Sequence, residues 1–166
     1  MHPMGSHGPA YWKRSLPQRK PFQPECTTNV LQQCDRQALV NAYDNSIVAT
    51  DHLLAEGIAW LRARQDRYDP ALLYVSDHGE SLGENGLYLH GLPWAVAPRE
   101  QTHVPMVAWL AAQTEQSASV RMACLRGRRD QSLSHDHLFH TVLGLLGVRA
   151  AEYKPALDLF AACPEP

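Results

Sequence analysis

ALLYVSDHGESLGENGLYLHG, residues Ala71 to Gly91, carries both the architecture and the chemistry of this chain. Its first six residues, Ala71 to Ser76, form a short apolar run just after the turn signal Asp69-Pro70. Such a run predicts a strand buried on both faces, in a parallel or mixed sheet covered by helices. Sites in α/β sheets gather just beyond the carboxyl ends of strands, and Asp77 and His78 fall there. A carboxylate oxygen beside an imidazole nitrogen suits a divalent, zinc-like ion. Gly79, Gly83 and Gly86 let the backbone turn tightly, which is expected to bring Glu80, Glu84 and His90 back towards the strand end. Asp-His-Gly is also found as a simple capped turn. The place after a buried strand, with a second His-Gly at His90-Gly91, favours a site.

Working outward, Leu39, Tyr43, Ile47, Leu54, Ile58 and Leu61 recur at helical steps and predict one apolar stripe on a helix from Asp35 to about Arg64, with Asp35 as N-cap. Val104 to Leu110 reads as a second buried strand. After an irregular polar segment, a helix is expected from about His135 to Leu146. Ser134 or Asp136 would cap it, Leu138, Val142, Leu145 and Leu146 would face the core, and Gly147 would end it. Residues 1–34, rich in Pro, Gly and basic side chains, read as an irregular segment, and 35–166 as the α/β core. Helix, strand, loop, strand, helix indicates an α/β fold. Two clear strands are few for an open sheet, so part of the sheet is expected from upstream sequence. Met1-His2-Pro3 reads in the same sense, as the interior of a longer chain.

With 166 residues, 45% hydrophobic content and a formal charge of −2, the chain can bury a core and has no global field to recruit nucleic acid. No apolar run is long enough to span a bilayer, and no signal peptide is evident. Nine histidines are the unusual feature. His7, flanked by Gly and Ser in an irregular segment, has no core to fill and reads as functional; His2 is its neighbour at the terminus. His52 reads as a surface residue, and a His137-His140 pair on a helix is weak evidence of metal binding. Cys26 and Cys34, in PECTTNVLQQC, lack zinc-knuckle spacing and favour a short-loop disulfide in an oxidising compartment, with two reduced thiols as the alternative. Cys124 and Cys163 can pair or stay free.

The string SDHGESLGENGLYLHG, followed by PWAVAPREQTHVPMVAW, resembles the catalytic domain of bacterial lipid A phosphoethanolamine transferases. That family includes the mobile colistin-resistance enzymes and belongs to the alkaline phosphatase and sulfatase superfamily. MGSHGPAYWKR, ECTTNVLQQC, NAYDNSIVATD, SHDHLFHTVLGLLGV and ALDLFAAC resemble family segments too. The resemblance implies part of an α/β/α sandwich with a mostly parallel central sheet, on the periplasmic face of the inner membrane behind membrane-spanning helices. It implies Zn2+ held by Glu, Thr, Asp and His, the last two falling on Asp77 and His78. It places His7 and His90 at the phosphate group or a second zinc, and Glu80 and His2 near substrate. The Cys26–Cys34 spacing resembles a family disulfide. The implied substrates are phosphatidylethanolamine and lipid A, and the implied outcome is resistance to polymyxin-type peptides. The family's nucleophilic Thr and Glu ligand lie upstream of GSHGP; Thr27, Thr28, Thr50, Thr102, Thr114 and Thr141 do not stand in that motif. The residues 1–166 are therefore expected to be a C-terminal portion of the catalytic domain, inactive alone. The alternatives are a sulfatase or phosphatase-type hydrolase and a non-catalytic metal-binding fragment.

Overall fold

Asp35 starts the longest element of the chain: its carboxylate accepts from the backbone N–H groups of Gln37 (2.9 Å) and Ala38 (3.1 Å), satisfying donors that the first helical turn leaves open. In the computed structural model, which describes residues 1–111, 119–161 and 163, helix α1 runs Arg36–Arg62. Strand β1 is Ala71–Val75, β2 Ser81–Leu82, β3 Tyr88–Leu89 and β4 Met106–Leu110. Three further helices are α2 (Arg99–Thr102), α3 (Ser119–Gly127) and α4 (Asp136–Leu145). Strand β1 pairs with β4, and β2 pairs antiparallel with β3. The chain divides into two compact units, Met1–Arg64 with Leu72–Trp109, and Gln65–Ala71 with Leu110–Pro166.

In the first unit, residues 1–34 contain three short 3-10 turns and no α-helix or strand, as their composition predicts. The segment is nevertheless firmly seated. Tyr11, Cys26 and Leu31 are buried with Ala38, Leu39 and Ala42 of α1 in one apolar cluster. A segment without a strand ladder must satisfy its backbone polar groups by other means. Asn45 does this for Phe22, accepting from its N–H (3.0 Å) and donating to its carbonyl (2.9 Å). Asn41 donates to the Pro24 carbonyl at 2.8 Å. The buried face of α1 is consequently Ala38, Leu39, Asn41, Ala42, Asn45 and Ser46, not the full apolar stripe read from the sequence. Leu39 and Tyr43 of that stripe reach the core, while Ile47 is 45% exposed. The Cys26–Cys34 disulfide closes the end of this segment.

The two predicted strands are found within two residues of the expected bounds, but not doubly buried. Strand β1 is exposed at its first residue and intermediate at the rest, and Val107 of β4 is 41% exposed. A two-stranded sheet makes each strand an edge and leaves much of its surface open. Helices with two small sheets make this an α/β fold, as the element order predicts.

In the second unit the polar linker conceals α3, which sequence periodicity missed. Helix α4 is placed as predicted, and Gly147, at φ 62°, ends it by donating to Gly144. His135, not Ser134 or Asp136, occupies the N-cap position. The expected core face is also corrected. Val142, Leu145 and Leu146 are exposed, whereas His140 and Thr141 are buried. Both buried side chains bind the returning tail: His140 Nδ1 accepts from Lys154 N–H (3.1 Å) and Thr141 Oγ1 from Leu159 N–H (3.1 Å). Asp158, 3% exposed, accepts from Tyr153 Oη at 2.6 Å. Cys124 and Cys163, whose pairing the sequence left open, form a disulfide.

Candidate functional site

Beyond β1 the chain passes against the backbone of α2, and Gly79 lets it. A Cβ there would fall on the carbonyl oxygen of Glu100, while Gly79 N–H donates to Gln101 at 2.9 Å. The hairpin that follows has the register Ser81↔Leu89 and Leu82↔Tyr88. Extending that register by one pair places Glu80 opposite His90, so the two side chains meet at the open end of the ladder. His90 Nδ1 lies 2.9 Å from Glu80 Oε1. Gly83 and Gly86, both at positive φ, form the turn.

The irregular N-terminal segment supplies the third histidine. Gly8 approaches so closely that a Cβ would strike the side chain of Leu89 and the Tyr11 hydroxyl. Gly8 N–H donates to Glu80 Oε1 (3.2 Å), and the Tyr11 hydroxyl to Oε2 (2.9 Å). The result is a cluster of His7, His78 and His90, with one candidate ligand atom from each within 4.8 Å of the others. The His78 and His90 rings stack at 3.8 Å between centroids, and His7 meets His90 edge-on at 4.8 Å.

Hydrogen bonding assigns the tautomers. His7 Nδ1 is 2.7 Å from the Gly8 carbonyl, and His78 Nδ1 is 3.0 Å from the Gly79 carbonyl. A carbonyl only accepts, so each Nδ1 carries the proton and each Nε2 keeps its lone pair. His90 follows the same rule against the Glu80 carboxylate. The cluster therefore offers three imidazole Nε2 donors, a set that fits a borderline divalent metal.

Asp77 stands at the edge of this cluster, its Oδ1 4.0 Å from His78 Nε2, with its side chain 65% exposed. Burial acts to raise its pKa, but His78, backbone N–H groups and His2 together outweigh this and lower it. His2 is itself highly exposed, with Nε2 3.6 Å from Asp77 Oδ2. Of the residues expected to fold back towards the strand, Glu80 and His90 do so. Glu84 instead turns to α1, where its Oε1 is 3.0 Å from Arg36 Nη2. His137 and His140 do not form a ligand pair: His137 Nδ1 lies 3.1 Å from the Ser134 carbonyl, and His140 Nδ1 binds Lys154. His52 is a surface residue, as expected, 3.9 Å from Glu56. Gly8 and Tyr11 were missed as parts of this site; an aromatic side chain 1% exposed in a Pro- and Gly-rich segment is a signal visible only once its partner is known.

The profile of the sulfatase family matches residues 1–148. The chain belongs to that family. Among curated proteins, this sulfatase-family chain is 46% identical over 164 residues to the phosphoethanolamine transferase EptA of Salmonella typhimurium, covering 98% of the chain and 30% of that protein. It is 47% identical over 154 residues to the phosphatidylethanolamine transferase Mcr-1 of Escherichia coli, covering 93% of the chain and 27% of that protein. The soluble domain of lipooligosaccharide phosphoethanolamine transferase A from Neisseria meningitidis superposes with a TM-score of 0.93 at 42% identity, covering 99% of this chain and 50% of that one. The sulfatase-family chain thus spans about 30% of the length of these EptA relatives. Among the described residues, no helix is long and apolar enough to cross a membrane.

Proposed function

We propose that this chain carries part of the active site of a zinc-dependent phosphoethanolamine transferase, which moves phosphoethanolamine from phosphatidylethanolamine to a phosphate of lipid A. The observation that carries the reading is the cluster of His7, His78 and His90, one ring nitrogen of each within 4.8 Å of the others and Asp77 at its edge, in a chain whose relatives at 46–47% identity bear that activity in their names. The resemblance adds a threonine nucleophile from outside these 166 residues and a periplasmic location at the inner membrane. The two disulfides are in keeping with that compartment.

Asp77 and His78 would hold the zinc ion. When bound, it would supply positive charge at a phosphoryl oxygen and favour the ionised form of the attacking hydroxyl. His7 and His90 would face the phosphoryl group. Each presents an Nε2 able to take a proton from an incoming hydroxyl or, once protonated, to hydrogen-bond a phosphoryl oxygen. In the first displacement the threonine oxygen bonds to phosphorus and diacylglycerol leaves with a proton. In the second, a lipid A phosphate hydroxyl oxygen bonds to phosphorus and gives up its proton, and the threonine oxygen leaves and takes a proton to restore its hydroxyl. Adding a cationic amine to lipid A would reduce the outer surface's negative charge, and with it the attraction for polymyxin-type peptides.

Two measurements test this reading. Zinc titration of the chain should show binding that His78→Ala weakens at least tenfold; unchanged affinity would reject the metal assignment. A protein joining this chain to its upstream segment should transfer phosphoethanolamine to lipid A, as read by mass spectrometry. Free phosphoethanolamine accumulating equally without lipid A would point to a hydrolase instead.

A further inference from the structure

We infer that Glu80 is a positioning residue: its carboxylate sets the tautomer of His90 and, through the Gly8 amide, the placement of His7. Glu80 lies two residues after His78 in a site full of ligand-type side chains, which would suggest that it reaches for a metal or for substrate. The geometry points elsewhere. Its side chain is 3% exposed, and both oxygens are engaged by the protein. Oε1 accepts from Gly8 N–H at 3.2 Å and faces His90 Nδ1 at 2.9 Å; Oε2 accepts from the Tyr11 hydroxyl at 2.9 Å.

The three donors come from two distant stretches of chain. One carboxylate therefore ties the segment bearing His7 to the hairpin bearing His90. The two other histidines have their Nδ1 protons fixed by the carbonyl of an adjacent residue, Gly8 for His7 and Gly79 for His78. At His90 the carboxylate opposite it in the hairpin takes that part, with Nδ1 2.9 Å from Glu80 Oε1. A histidine that donates Nδ1–H to a carboxylate keeps its ring orientation and presents Nε2 as the donor atom.

Substitution chemistry sharpens the expectation. A glutamine at this place has one acceptor oxygen, and the Gly8 N–H requires that oxygen at the Oε1 position. Glu80→Gln should therefore keep the Nδ1–H form of His90 and turn its amide towards the Tyr11 hydroxyl, which can accept. Glu80→Leu retains much of the bulk but no acceptor, and should release His90 to its other tautomer.

Long-range 1H–15N spectra of the histidine rings, recorded on the 166-residue chain without metal at about pH 9, well above the ordinary imidazole pKa of about 6.5, read this directly. The expected result is Nδ1–H for His90 in the parent and in Glu80→Gln, and a shift towards Nε2–H in Glu80→Leu. A parent His90 in the Nε2–H form overturns the inference whatever the variants do. So does Nδ1–H persisting in Glu80→Leu, or Nε2–H appearing in Glu80→Gln with the rest of the amide spectrum unchanged.

Discussion

Replacing Tyr11 by phenylalanine removes one buried hydroxyl and leaves everything else in place. The ring is 1% exposed and packs edge-on against Tyr43 at 5.4 Å, a contact phenylalanine keeps. What is lost is the 2.9 Å bond to Glu80 Oε2, which then stays buried without that donor. A hydrogen bond to a charged group contributes roughly 1.5–3 kcal/mol, and the variant makes no cavity to add to this. The expected cost is about 2 kcal/mol, read as a fall in Tm of roughly 4–8 °C for a chain of this size. The pH dependence gives a second reading. Burial first, and Glu80 next, raise the Tyr11 pKa well above its ordinary value of 10.0. Below about pH 10 the folded and unfolded chains both hold the proton, so this contribution to stability is complete. As pH rises further the unfolded chain releases its proton first, and the contribution is lost on the way to the raised folded value. Tyr11→Phe should flatten this alkaline decline, leaving the part due to Tyr43, whose pKa burial also raises. Thermal unfolding followed by circular dichroism between about pH 7 and pH 11 covers the window, which begins at the ordinary tyrosine pKa of about 10. A Tm unchanged at neutral pH together with an unchanged alkaline slope would refute the idea that Tyr11 and Glu80 anchor the N-terminal segment.

Three other substitutions bear on the same framework. Gly79→Ala would place a methyl on the Glu100 carbonyl, a backbone atom that cannot swing away, and should cost about 1–3 kcal/mol and weaken zinc binding together; a variant as stable as the parent would show that this loop yields freely. Arg36→Ala removes an ion pair whose arginine side chain is 63% exposed, so the loss should stay below about 1 kcal/mol and shrink with added salt. The Glu84 carboxyl, which burial alone would raise, is held below its ordinary 4.5 by backbone N–H groups and Arg36, so its contribution is present above that value and lost as pH falls beneath it. Opening the Cys26–Cys34 bridge, with a separation of 8 residues, should cost about 2.6 kcal/mol on loop-closure entropy. The Cys124–Cys163 bridge, with a separation of 39, should cost about 3.9 kcal/mol; equal melting shifts for two single-bridge variants would argue against that ordering.

Much of the site was legible because its signals are local. Asp35 as an N-cap, the strand before Asp77 and the turn glycines each depend on neighbours a few residues away. The meeting of Glu80 and His90 was legible only in part, since it follows from a two-residue ladder whose register no propensity states. The partnership of Glu80 with Gly8 and Tyr11 spans 72 and 69 residues, and nothing in either stretch announces the other. The errors on the buried faces of α1 and α4 share one cause. Reading α1 and α4 by apolar periodicity assumes that helices bury their hydrophobic side chains, whereas these two bury amides, hydroxyls and an imidazole that hold irregular chain. Helix α3 was hidden for a different reason: its polar surroundings carry no period to separate it from a loop.

Helix α4 inverts the usual map of tolerance to substitution. Its Val142, Leu145 and Leu146, at 39%, 37% and 71% exposure, lie outside the buried set and have more room to vary. The intolerant positions are His140 and Thr141, which hold the tail by hydrogen bonds, and Gly144, where any side chain would displace the Asp158 carboxylate. A library randomised along the helix and selected for folding should therefore retain His140, Thr141 and Gly144 and vary most at Leu146, so that the residues a composition profile discounts are the ones that heredity would guard.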